Sequence, residues 1–269
     1  MSTVQISYLT DFDGREYVKS FYNAVDGNPQ EKGFTLLYRT QVIEFYKRYN
    51  SKWDNNTARL LEFSGGASIV GLISAVPYVN QIIFSAHTES ERKEVELWKF
   101  EKDGAHDWSD HFKFAVNELE NITGNAARQD REKLLRQRIT AIIGCDIFQD
   151  YPLSIKQDPF EIISASLCLE VACSTYLEYK AAVKKLVTLL KPGGFLTMFV
   201  VERETFYMVG EKRWPCFPVT LEQVKEALAD AGMVVLVAER DPAPIHDIEN
   251  PIISDYKAVV FVAAQRVVF

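Results

Sequence analysis

From residue 58 onward, short apolar runs alternate with stretches whose apolar positions recur every three or four residues. Leu60-Leu61 leads into Glu62 and Phe63. Gln81–Ser85, Thr140–Cys145, Pro159–Ser164, Phe195–Val201, Met233–Glu239 and Tyr256–Val267 are the later runs, and with the first they predict seven strands. Between them lie predicted helices. One starts at Ile69. A second follows the capping-box pattern Thr88-Glu89-Ser90-Glu91 and runs to about Phe100. Residues 101–138 are dense in charge at helical spacing and predict one or two surface helices. Tyr179, Val183, Leu186, Val187 and Leu190 share a helical face that stops at Lys191-Pro192-Gly193-Gly194. Thr220-Leu221-Glu222-Gln223 opens a last helix, ending at Gly232. Residues 241–251 predict a loop. Alternating strands and helices argue for an α/β fold: a mostly parallel sheet with helices on both faces.

The first fifty residues read differently. Helical spacing runs from Arg15 to Val25 in a tyrosine-rich segment, and Gly27-Asn28-Pro29 breaks it. A second amphipathic helix covers 34–49 through Tyr38, Val42, Phe45, Tyr46 and Tyr49, and a polar loop fills 50–57. No internal repeat or Pro/Ser linker divides the chain. The expectation is one domain over 1–269, with residues 1–50 as a helical cap or lid and 58–269 as the core.

The stretch that organises this pattern is Arg59–Ala75. A strand runs into Ser64-Gly65-Gly66-Ala67-Ser68 and then into a helix. Such a unit sets backbone N–H groups and a helix N-terminus at the carboxyl end of the first strand, where α/β proteins bind cofactors. The dinucleotide spacing G-x-G-x-x-G is absent. A plain glycine turn with no ligand fits the same residues.

Composition narrows the classes. The chain has 269 residues, 47% of them hydrophobic, and a net charge of −7. An acidic surface does not suit a phosphate backbone, so no nucleic-acid partner is expected. Cys145, Cys168, Cys173 and Cys216 form no C-x-x-C pair and read as reduced, mostly buried thiols. The four histidines show no metal-ligand spacing, so no metal is expected. No signal peptide and no apolar run of membrane-spanning length are apparent, which predicts a cytoplasmic protein with no membrane association.

LLEFSGG with its apolar helix, then HDWS, CDIFQDYPL, SLCLEVAC, LLKPGGFL and FYMVGEKRW, in that order, resemble the nicotinamide, phenylethanolamine and indolethylamine N-methyltransferase family. The likeness extends from Tyr8 to Val267. It implies a Rossmann-like class I methyltransferase, a three-layer sandwich whose seven-stranded sheet has an antiparallel last strand. It also implies S-adenosyl-L-methionine as cofactor, a small-molecule amine as substrate, and a monomer. Carried over by this resemblance, Tyr17 and Tyr22 close over the cofactor. Ser64, Gly65 and Gly66 lie beneath its methionine moiety, with Ser166 near that end. Asp146 and Ile147 lie beside the adenine. Glu170 and Glu204 match two acids that hold the amine and hydroxyl in the phenylethanolamine enzyme, and Tyr207 and Asp255 join them on the substrate side. Nicotinamide enzymes carry an aspartate and a small serine at those two acidic positions, and a strand-five aspartate where this chain has Val200.

An amine reaches a methyltransferase as an ammonium ion. Carboxylates bind it, and one must take its proton before the nitrogen can attack. A pyridine nitrogen needs no base. Glu170 and Glu204 therefore point to N-methylation of a small amine, an aralkyl amine before nicotinamide, with both as catalytic candidates. Two departures from the family pattern support an alternative: a catalytically degenerate methyltransferase fold with a binding or regulatory role. Ser64 stands where the family's turn begins with glycine. Ala86 stands where the second strand ends in a ribose-binding aspartate, and Glu91 is the candidate to take over the ribose hydroxyls.

Overall fold

The computed structural model describes residues 8–25 and 34–267. The expected break at Gly27-Asn28-Pro29 lies outside them. Among the described residues, three helices come first: α1 (Tyr8–Asp11), α2 (Gly14–Tyr22) and α3 (Phe34–Tyr49). The core then runs β1 (Arg59–Glu62), α4 (Val70–Ala75), β2 (Gln81–Ala86), α5 (Glu89–Lys99), α6 (Ser109–Lys113), α7 (Asn125–Arg138), β3 (Ile139–Gly144), β4 (Phe160–Ser166), α8 (Leu169–Ala172) and α9 (Tyr176–Thr188). It finishes with β5 (Leu190–Glu202), β6 (Phe206–Val209), β7 (Lys212–Pro215), α10 (Leu221–Asp230), β8 (Met233–Pro242), α11 (Ile245–Glu249) and β9 (Ala258–Arg266).

Seven strands form one sheet in the order β3-β2-β1-β4-β5-β9-β8. The first five are mutually parallel, and β9 runs antiparallel to both β5 and β8. This is the Rossmann-like three-layer arrangement expected. The strands are apolar throughout because both faces are covered, and successive residues go to opposite sides. Leu60, Ile82, Ile162 and Phe261 join one core with α3, α4 and α5. Their neighbours Leu61, Ile83, Ile163 and Val260 join the other, under Tyr179, Val183 and Leu186 of α9 and Val224 and Leu228 of α10.

Side chains capture the orphan N–H groups at helix starts. Both expected capping boxes form. Glu91 N donates to Thr88 Oγ1 at 3.1 Å while Thr88 N donates to Glu91 Oε2 at 2.7 Å. The Thr220–Gln223 pair repeats this at 3.2 and 3.0 Å. Asp13 caps α2 by accepting from Arg15 N and Glu16 N.

The structure differs from expectation in three places. Strand β5 begins at Leu190, because Lys191-Pro192-Gly193-Gly194 continues alongside β4 through an irregular register instead of forming a loop. Residues 206–215 make an antiparallel hairpin, β6–β7, turning at Gly210 with φ +57°. The proline-rich 241–251 stretch carries the last residues of β8 and the short helix α11.

Candidate active site

Ser85, in β2, clasps the turn after β1. Its Oγ donates to Glu62 O at 3.0 Å and accepts from Ser64 N at 3.4 Å, and its carbonyl accepts from Gly65 N at 3.2 Å. The turn needs two left-handed residues, Ser64 at φ +52° and Gly66 at φ +62°. Serine takes that conformation at a cost that glycine avoids. Gly66 has a second reason to be glycine: an added Cβ would lie 3.2 Å from the Tyr17 ring.

A cavity of about 240 Å³ opens above this turn, at the carboxyl ends of the parallel strands. From α2, Tyr17, Phe21 and Tyr22 wall it on one side. Its polar groups come from Ser64, His87, Glu91, Asp146, Ser166, Glu170, Glu204 and Tyr207. Of the residues predicted from sequence, Tyr17, Tyr22, Ser64, Gly66, Glu91, Asp146, Ile147, Ser166, Glu170, Glu204 and Tyr207 share this wall. Gly65 instead faces a smaller void of about 40 Å³ beneath the turn, beside Tyr38, Glu62 and Ser68.

Asp255 is placed elsewhere. Its carboxylate accepts from Thr205 N at 2.7 Å, Thr205 Oγ1 at 2.6 Å and Phe206 N at 3.3 Å, and so fixes the corner before β6. Neighbouring residues of an extended segment point to opposite sides. The preceding residue, Ser254, pairs with Tyr207 and turns inward, where its hydroxyl donates to Glu204.

On the cavity wall, Asp146 accepts from Phe148 N and Gln149 Nε2, each at 2.9 Å. Burial pushes its carboxyl up, but these donors with His87 and Lys185 outweigh it and hold the group below its ordinary value. The same wall holds two carboxylates that the sequence separates by 34 residues. Glu170, on α8, is 1% exposed and accepts from Val201 N at 3.2 Å. Glu204, just past β5, is 5% exposed and accepts from Ser254 Oγ and, at 3.1 Å, from Cys216 Sγ. Burial raises both, Glu170 to about 8 with the charge of Glu204 adding to the effect, and Glu204 to about 7. Neither is a solvated loop residue. Tyr8 and Tyr207 lie on the same wall.

Glu91 divides its carboxylate: Oε2 closes the capping box, while Oε1 lies 3.4 Å from the Tyr8 hydroxyl. Ala86 is fully enclosed at the end of β2, and the adjoining His87 reaches the cavity.

Several residues were not singled out from sequence. Ser254 and Cys216 set the environment of Glu204, yet neither sits in a pattern that carries chemistry. Glu62 is buried and raised by desolvation to about 8, with Oε2 lacking a hydrogen-bond partner. Its signal was an acid at the end of a buried strand. The Cys168 thiol is buried and pushed upward, as a packed thiol should be. Among the described residues, no group of three or more His, Cys, Asp or Glu side chains could hold a metal ion, and no helix is long and apolar enough to cross a membrane.

The family model described as the NNMT/PNMT/TEMT family matches residues 1–267. Human nicotinamide N-methyltransferase is 27% identical over 235 residues, covering 87% of this chain and 86% of the relative. Mouse indolethylamine N-methyltransferase is 30% identical, covering 85% and 84%. Pig phenylethanolamine N-methyltransferase is 31% identical, covering 77% and 72%. Among solved structures, the [4+2]-cyclase SpnF superposes with a TM-score of 0.54 at 16% identity, over 93% of this chain and 87% of that one. The Bradyrhizobium japonicum N-methyltransferase NodS, in complex with S-adenosylhomocysteine, gives 0.50 at 12%, over 95% and 99%. These structural likenesses speak to the fold alone.

Proposed function

The chain belongs to the NNMT/PNMT/TEMT family, and on that premise we propose that it is an S-adenosylmethionine-dependent N-methyltransferase acting on a small amine, an aralkyl amine before a pyridine. Residues 1–269 act as one domain, with the first fifty as its cap. The observation that carries the acceptor class is the pair Glu170 and Glu204, both buried on one cavity wall.

The residues present suit the donor. Gly66 leaves open the space that a Cβ would take from Tyr17. Tyr17, Tyr22, Ser64 and Ser166 would hold the methionine end. Asp146, kept ionised, would accept from the adenine amine, with Ile147 against the ring. Glu91, on the same wall with its Oε1 3.4 Å from the Tyr8 hydroxyl, is the candidate for the ribose hydroxyls. Bound there, the donor supplies an electrophilic methyl group on a sulfonium sulfur.

The chain's own contribution is binding, orientation and proton removal. Glu204, held by two donors, attracts the incoming ammonium. Glu170 and Glu204 are raised to about 8 and 7, so each is a base matched to neutral pH. One of them would take the ammonium proton, which leaves the nitrogen lone pair free to accept the methyl group that the donor supplies. Burial in a low-dielectric wall strengthens the attraction. Holding the two reactants in line supplies much of the acceleration in such displacements.

The fully enclosed Ala86 favours a second reading, a protein that binds in this crevice without transferring methyl groups. Purified protein with labelled donor, screened against aralkyl amines, aliphatic amines and pyridines, separates the readings. Methylated amines are expected. Methylation of pyridines alone would overturn the acceptor class. Binding of S-adenosylhomocysteine with no turnover on any acceptor would favour the second reading.

A further inference from the structure

Helix α2 ends at Tyr22, and a helix end leaves carbonyls without partners inside the helix. The Tyr22 carbonyl finds one across the fold. His111, on α6, donates from Nε2 to it at 2.8 Å. The other ring nitrogen, Nδ1, lies 2.6 Å from Nη2 of the buried Arg39, on α3. A guanidinium carries only donors. Nδ1 must therefore present its lone pair to Arg39, which leaves the single ring proton on Nε2, facing Tyr22. His111 stays neutral, held at about 4 by burial and by the Arg39 charge. The Trp108 ring packs against both residues, 5.5 Å from the Tyr22 ring and 5.2 Å from the His111 ring.

The start of α2 is tied down separately. Gly14 N donates to Ser90 Oγ at 2.7 Å, and Arg15 pairs with Glu94 of α5 at 2.7 Å. One end of the helix is thus anchored to α5 and the other to α6. Tyr17 and Tyr22, which wall the cavity, hang between the two anchors.

We propose that His111 is a positioning residue for the donor site: it fixes the end of α2 so that Tyr22 keeps its place on the cavity wall, and Arg39 acts behind it by selecting the ring tautomer. This rests on the donor site assigned above. His111 touches neither donor nor acceptor, so its removal changes donor affinity first.

The test compares wild type with His111→Phe, His111→Gln and Arg39→Met, by calorimetric titration with S-adenosylhomocysteine and by initial rates with each substrate varied. Phenylalanine keeps a ring and loses the hydrogen bond. It should weaken S-adenosylhomocysteine binding and raise the donor KM about tenfold, with the acceptor KM unchanged. Glutamine offers one acceptor and one donor, and should recover most of the loss. Arg39→Met should fall between the two. Nitrogen NMR of wild type gives an answer that needs no variant: Nδ1 should show the unprotonated shift, and a proton on Nδ1 overturns the proposal. Wild type that binds S-adenosylhomocysteine while His111→Phe binds it equally well also overturns it, with the donor site left standing. Wild type that fails to bind S-adenosylhomocysteine at all removes the donor site, and the proposal with it.

Discussion

Replacing Glu204 with glutamine separates what this carboxylate does for catalysis from what it does to stability. The amide has the same shape and can still meet Ser254 and Cys216, whose hydrogens rotate. The charge is lost. A charge-assisted contact to a bound ammonium contributes about 1.5–3 kcal/mol, so the amine KM should rise roughly ten- to a hundredfold. The acid limb of kcat/KM, expected near pH 7 from Glu204, should shift toward the value set by Glu170. Stability should move the other way. Burial raises the Glu204 carboxyl from 4.5 to about 7, so above pH 7 the folded state holds a desolvated charge that the unfolded chain solvates freely. Removing that charge should stabilise the protein by up to about 3 kcal/mol at pH 8, less whatever the amide loses in hydrogen bonding. Initial rates from pH 5.5 to 9 and thermal melts over the same range measure both effects. Unchanged amine kinetics would take Glu204 out of the site. A lowered melting temperature at pH 8 would show that the carboxylate holds the fold together.

Glu62, Glu170 and Glu204 together predict the pH dependence of stability. All three are raised in the folded state, so their favourable contribution is complete below about 4.5 and is lost as pH rises through 7 to 8. Melting temperature should decline over that window, and Glu62→Gln should flatten the decline; an unaltered slope would show that Glu62 is not a buried acid. Ser64→Gly removes a left-handed serine and should stabilise by about 1 kcal/mol, roughly 2 °C in the melt. No gain would mean that the turn carries no strain there. Gly66→Ala sets a methyl group 3.2 Å from the Tyr17 ring and should weaken S-adenosylhomocysteine binding at least about tenfold in a titration. Unchanged affinity would mean that Tyr17 does not pack over the donor.

The sheet was largely legible because its evidence is local. Each buried strand is a short apolar run, and Thr88 and Thr220 announce their helices within four residues. The β6–β7 hairpin was hidden by its small size and by a Val209-Gly210-Glu211-Lys212 turn that lacks the usual Asn-Gly pair. Lys191-Pro192-Gly193-Gly194 reads as a helix stop, but α9 already ends at Thr188, capped at Leu189, and Leu190 with these four residues belongs to β5. That pairing with β4 depends on a neighbour 30 residues away, Phe160. The site was legible only in part. Glu170 and Glu204 were visible as candidates, while their burial and common wall follow from where α8 and the end of β5 meet. Asp255 was misplaced by the alternation of one extended segment. The Arg39–His111–Tyr22 chain joins three elements with no motif between them, and only the folded chain brings it together.

The sheet order sets a timetable for assembly. Strand β9 fills the gap between β5 and β8, although it is the last of the seven to be made. Until it arrives, the run Phe195–Val201 offers an open, apolar strand border that any similar segment of a neighbouring chain can mistake for its own partner. A ribosome-bound chain therefore stays half-zipped from the completion of β5 until β9 has emerged. Loss of the final strand should yield insoluble aggregates in place of a weakened monomer.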